Sequence, residues 1–152
     1  MYYFSKKTVL MNYSNNTYKT HDGNELVTYK WDCEQPKAII HIVHGMSEHA
    51  GRYDHFASEL NNQGFLVYSS DLRGHGKTAG KLENVGQFAM EGGWNKVVKD
   101  IIGLSYRFKK ENPKLPLFIL GHSMGSFIAR NVAYADTDLA DGYIYSATAG
   151  HP

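Results

Sequence analysis

The stretch Leu117-Phe118-Ile119-Leu120-Gly121-His122-Ser123-Met124-Gly125-Ser126 carries the chemistry most easily read from this chain. It places Gly-x-Ser-x-Gly between an apolar, strand-like run and a segment whose Phe127, Ile128 and Val132 recur at helical spacing. A serine on such a strand-to-helix turn exposes its hydroxyl on a strained backbone that tolerates little bulk nearby. Gly121 and Gly125 leave that room, because side chains there would collide with the adjoining strand and helix. The N–H of Met124, at the start of the helix, would face a carbonyl on which negative charge develops. Acyl transfer through a nucleophilic Ser123 is the chemistry this pattern suits.

A second stretch fits the same reaction. Ala38 to Val43 is a short apolar run rich in β-branched residues, and it leads into His44-Gly45-Met46-Ser47-Glu48-His49-Ala50-Gly51-Arg52-Tyr53. A loop that follows a central strand and opens on His-Gly can turn the Met46 N–H toward the same developing charge. Loss of one such donor typically costs ~10²–10³ in rate. His41, His44 and His49 invite a metal reading, but the odd spacing of the first two sends them to opposite faces, and no Cys or carboxylate completes a tetrahedral set. Asp71-Leu72-Arg73-Gly74-His75-Gly76-Lys77-Thr78 ends like a phosphate-binding loop. Its carboxylate, however, stands where the first glycine must be, and no helix opens at Lys77. Neither a metal nor a nucleotide cofactor is expected.

The surrounding elements would position these residues. Tyr18–Thr20 and Leu26–Trp31 flank an Asp22-Gly23 turn and read as a hairpin. Tyr53, Phe56, Ala57 and Leu60 fall at helical spacing before Gly64, and Phe65–Ser69 reads as a strand. From Arg73 to Gly93 the chain reads mostly as loop. Trp94, Val97, Val98, Ile101, Leu104 and Phe108 mark one face of a long helix that stops at Asn112-Pro113. Then come a strand over Leu117–Leu120, a helix over Met124–Ala135 and a strand over Tyr143–Ala147. This alternation predicts an α/β fold, a mostly parallel sheet with helices on both faces, entered through the N-terminal hairpin. One domain over residues 1–152 is expected, with its reactive groups along the carboxyl edge of the strands.

Composition narrows the function. Sixteen Lys and Arg against fifteen Asp and Glu give a formal net charge of +1, which offers no basic surface for nucleic acid or an anionic membrane. Cys33 is the only cysteine, so no internal disulfide forms. Its acidic neighbours Asp32 and Glu34 would raise a thiol pKa, which argues against a nucleophilic role. Lys6 and Lys7 lack a following apolar run of signal-peptide type, and no window reaches the ~18 apolar residues of a membrane span. A cytoplasmic protein without stable membrane insertion is the expectation.

Together, His44-Gly45-Met46-Ser47-Glu48-His49-Ala50-Gly51-Arg52-Tyr53, Asp71-Leu72-Arg73-Gly74-His75-Gly76 and Gly121-His122-Ser123-Met124-Gly125 resemble the monoacylglycerol lipase and lysophospholipase group of α/β-hydrolases, also described as serine aminopeptidase-like. The resemblance runs from about Tyr18 onward. It implies cofactor-free hydrolysis of a small, lipid-like acyl ester, with Ser123 as nucleophile and the N–H groups of Met46 and Met124 as oxyanion donors. Gly121, His122, Gly125, His44 and Gly45 would support the elbow and its facing loop, and Asp71, Arg73 and His75 would form a structural loop beside the site. Ser126 and Thr78 stand where the group often has glycine and serine, both small changes.

The same resemblance sets the triad order as serine, aspartate, histidine, with the last two well beyond the sixth strand. By that measure the chain is an α/β-hydrolase fold lacking its lid and C-terminal strands. Asp136, Asp138 and Asp141 precede the final strand, whereas His151 follows it. About five residues at ~3.3 Å each separate the two ends by ~17 Å, too far for a Ser-His-Asp relay. Negligible esterase turnover by these 152 residues is therefore expected, along with association through the open edge of the last strand. The alternative is a non-catalytic binding module, or one half of a split enzyme.

Overall fold

The computed structural model describes residues 13–150. Six strands form one sheet: β1 (Ser14–Lys19), β2 (Glu25–Trp31), β3 (Ala38–Val43), β4 (Phe65–Ser70), β5 (Leu117–His122) and β6 (Gly142–Ser146). Their order across the sheet is β1-β2-β4-β3-β5-β6. The hairpin strand β2 joins antiparallel to β4, and β4, β3, β5 and β6 run parallel. Every residue of β3 is buried, His41 included, as its mostly apolar sequence suits a central strand with both faces covered.

Helix α1 (Asp54–Asn62) covers one face, its Ala57 packing with Trp31, Ile40, Ile42 and Val67. Helices α2 (Gly93–Glu111) and α3 (Met124–Ala135) cover the other, packing Val97, Ile101 and Val132 with Ile39, Val43, Leu117 and Ile119 of the sheet. Alternate residues of β3 thus feed two separate cores. β4 lies on one side of β3 and β5 on the other, reached by crossovers on opposite faces. The carboxyl ends of β3 and β5 therefore meet at a topological switch point, where such sheets build their sites.

The sequence expectations hold for element type, and the differences have local causes. β1 begins at Ser14, since its polar residues pair with β2 through the backbone and need no apolar signal. Phe56 was expected on the buried face of α1 but is 43% exposed. Tyr53, Ala57 and Leu60 meet the sheet instead, at spacings of four and three residues. Trp94, at the first turn of α2, is likewise 36% exposed and lies tilted beside the Phe88 ring rather than entering the core. His44 lies past the end of β3, so strand alternation does not set its direction. No helix among the described residues is long and apolar enough to cross a membrane. His151 and the segment before Tyr13 lie outside the described residues.

Candidate active site

Ser123 caps the N-terminus of α3 with φ 51° and ψ −121°, a left-handed backbone that a serine adopts only under constraint. The constraint comes from both sides. Its N–H donates to the Ser146 carbonyl of β6 at 2.9 Å. Its carbonyl accepts from the Ser126 N–H at 2.9 Å and from the Ser126 hydroxyl at 2.6 Å. Ser126 is fully buried, and its hydroxyl adds a hydrogen bond that a glycine there could not.

The two flanking glycines are required by close approach. A Cβ on Gly121 would strike the Gly125 carbonyl and sit 2.7 Å from the Ser126 Cα. A Cβ on Gly125 would strike the Val43 carbonyl oxygen and lie 2.6 Å from that of His44. Helix α3 can therefore press against the end of β3 only because both positions lack side chains.

That closeness brings the loop after β3 to the serine. A Cβ on Gly45 would lie 3.2 Å from the Ser123 Cβ and 3.3 Å from the His122 carbonyl oxygen. The Gly45 N–H is already used, donating to Glu48 Oε1. The Tyr53 hydroxyl donates to the same oxygen at 2.8 Å. Burial pushes the Glu48 carboxyl up, but these two donors outweigh it and hold the group below its ordinary range. Among the described residues, the N–H groups of Met46 and Met124 donate to no protein acceptor. Both belong to residues that line the cleft beside Ser123.

His44 is held as a neutral ring. Its Nε2 accepts from the Leu72 N–H at 2.9 Å, so its Nδ1 carries the proton, donated to the Gly45 carbonyl at 2.8 Å. Burial pushes its pKa down to about 4, consistent with that tautomer. His44 thus ties the loop after β3 to the loop after β4. His122 is half-buried, with Nδ1 3.1 Å from the Ser146 hydroxyl, and so braces the elbow against β6.

The loop after β4 acts as scaffold. Asp71 is fully buried and accepts from the N–H groups of Ala50 at 2.8 Å and Lys77 at 2.7 Å, and from the Tyr29 hydroxyl at 2.9 Å. With three donors holding it, two of them main-chain amides, this carboxylate braces the loop. Thr78 donates to the Asp71 carbonyl and accepts from the Val27 N–H, tying this loop to the hairpin. Arg73 is forked between Asp100 of α2 (2.6 and 2.9 Å) and Asp22 of the hairpin turn (2.8 and 2.6 Å). His21, Asp22 and Asp100 have ligand atoms within 4.8 Å of one another, but the Arg73 guanidinium already occupies the place of a cation between the carboxylates. His41, by contrast, is buried against Ser105 and Phe108 of α2 and shares no site with His44 or the exposed His49. The Asp141 side chain accepts from the Leu117 N–H, at the opposite end of β5 from Ser123, and Asp136 binds the Tyr106 hydroxyl.

A serine on a strained strand-to-helix turn, at the switch point of a parallel sheet and faced by a Gly-initiated loop, defines the architecture of the α/β-hydrolases. The family described as serine aminopeptidase, S33 matches residues 34–152, and the chain belongs to it. The mouse monoglyceride lipase is 37% identical over 113 residues, covering 74% of this chain and 35% of that protein. The monoacylglycerol lipase of Mycolicibacterium smegmatis is 34% identical over 110 residues, covering 70% and 36%. A thermostable carboxyl esterase from Bacillus coagulans, solved with glycerol, superposes with a TM-score of 0.84 at 32% identity, over 92% of this chain and 46% of that one. The chain thus spans about a third of the length of the curated relatives it matches.

Proposed function

We propose that this chain provides the nucleophile half of a serine ester hydrolase acting on monoacylglycerol-type substrates. Ser123 attacks the ester carbonyl, the N–H groups of Met46 and Met124 receive the oxyanion, and the acyl-enzyme is released by water. The observation that carries this reading is the left-handed Ser123 with Gly45 packed against its Cβ. The loop that bears Met46 starts at that glycine, which supports its amide as one of the two donors. The substrate class rests on the relatives named monoglyceride and monoacylglycerol lipase. Asp136 and Asp141 serve the opposite end of the sheet, so neither orients a base at Ser123. Acyl transfer of this kind needs no metal or cofactor.

An alkylboronic acid in buffer at about pH 8–9 tests the proposal, since boron accepts the serine oxygen while the buffer base takes the hydroxyl proton, giving an anionic four-coordinate boronate. With the 152-residue chain, ¹¹B NMR should show boron passing from three- to four-coordinate, and Ser123→Ala should abolish the change. Equal behaviour of the two proteins would overturn the assignment.

A further inference from the structure

The chain that leaves β3 makes a tight turn over Met46 and Ser47 before the short 3₁₀ helix Ala50–Tyr53. Ser47 has φ 59°, in the left-handed region that a residue with a side chain avoids unless its surroundings hold it there. Among the described residues no main-chain hydrogen bond closes this turn; a side chain does. Glu48 Oε1 accepts from the Gly45 N–H at the start of the turn and from the Tyr53 hydroxyl at 2.8 Å. The Glu48 side chain is only 13% exposed, and the Tyr53 ring packs on the core beneath α1. One carboxylate oxygen therefore ties the turn to the rigid body of the sheet. Gly45 has that oxygen and the nucleophile as immediate neighbours: a Cβ there would stand 2.9 Å from Glu48 Oε1 and 3.2 Å from the Ser123 Cβ.

We propose that Glu48 is a positioning residue, whose carboxylate clamps the strained 45–48 turn and so keeps the Met46 N–H in place as an oxyanion donor. This rests on the hydrolase reading of Ser123 and adds to it what holds one of the two donors. Glu48 acts through Gly45 and Tyr53, not on the reacting atoms. The clamp matters because the turn it closes is not at rest. A left-handed serine is disfavoured at least ~5-fold against an ordinary backbone conformation. Once released, Ser47 relaxes, and in a turn this short that rotates the neighbouring peptide groups, including the one that carries the Met46 N–H. Arg52 contributes little, since its guanidinium is 64% exposed and 3.8 Å from the carboxylate.

The test uses the 152-residue chain labelled with ¹⁵N-methionine and titrated with the alkylboronic acid. In the parent protein the Met46 and Met124 amide resonances should both move as the Ser123 adduct forms. In Glu48→Ala the Met124 amide should still move, the Met46 amide should not, and adduct affinity should fall about tenfold. Glu48→Gln, whose side-chain carbonyl can accept the same two hydrogen bonds, should restore the Met46 response and bring affinity to within about threefold of the parent. Arg52→Ala should change neither. A role in folding alone would lower the urea midpoint and leave the two amides moving together. If urea melts show that Glu48→Ala does not fold, Tyr53→Phe takes its place, with a weakened Met46 response and an affinity loss of about threefold. A Met46 response equal to the parent's in the variant used, or a loss shared equally by Met46 and Met124, would overturn the clamp. No adduct in the parent, or one that survives Ser123→Ala, would instead overturn the hydrolase reading and the clamp with it.

Discussion

Replacing Gly125 by alanine should damage this fold, although glycine-to-alanine changes inside helices ordinarily help. The helix term favours alanine by about 1 kcal/mol. Against it, the new Cβ would lie 2.6 Å from the His44 carbonyl oxygen and 2.7 Å from the Val43 carbonyl carbon, with the Val43 oxygen closer still. All three are main-chain atoms of the central strand and its exit, so relief requires α3 to move off β3. Overpacking against unyielding neighbours costs about 3 kcal/mol at the upper end of the usual range. The net loss is about 2 kcal/mol, or a fall in Tm of about 4–8 °C for a chain of this size. Gly103→Ala in α2 is the matched comparison, because its Cβ would meet only the hydroxyl tip of Tyr18, which can swing aside. That variant should change stability by less than about 1 kcal/mol. Urea unfolding of both variants, with the boronate titration of each, decides the matter. A Gly125→Ala protein as stable as Gly103→Ala, with its Ser123 adduct intact, would refute the claim that the elbow is pressed onto β3.

Three further outcomes follow from the same geometry. Burial pushes His41 down to about 3 and His44 down to about 4, so the folded chain keeps both neutral while the unfolded chain protonates them near pH 6.5. Stability is therefore full above that pH and drains as pH falls, by about 2 kcal/mol per histidine at pH 5. His41→Gln should remove about half of this slope in urea melts, and an unchanged slope would contradict the assignment. Arg73→Met should cost about 3–5 kcal/mol by stranding Asp100, which is 2% exposed, and Arg73→Met with Asp100→Leu should recover most of it. The edge strand β6 exposes Ile144 and Tyr145 at 45% and 37%, so sedimentation velocity should show self-association that Ile144→Lys reduces. A purely monomeric parent chain would count against that edge as a docking strand.

Local patterns made the frame legible before any coordinates. The mostly apolar, β-branched run of β3, the 3.6-residue periodicity of α2 and the Gly-x-Ser-x-Gly spacing at β5–α3 each involve neighbours in sequence, and each element lies where its pattern indicated. Legibility faded where long-range pairing decides. Arg73 meets Asp22 and Asp100 across 51 and 27 residues, and no local spacing announces either partner. The tautomer of His44 depends on the Leu72 N–H, 28 residues away. Glu48 was the most accessible omission. It stands three positions after Gly45, the separation at which a carboxylate commonly reaches back to a main-chain N–H, as in a capping box. Its side chain takes the Gly45 N–H, so that group is not free to receive an oxyanion. Phe56 and Trp94 show the converse, apolar residues at the right spacing that lie at the margin of the covered face.

A crystal structure of the Ser123 alkylboronate adduct puts the central claim to its most direct measurement. One boronate oxygen should lie ~2.7–3.1 Å from both the Met46 and the Met124 nitrogens. An adduct whose oxygens face solvent, or touch only one of the two amides, would contradict it.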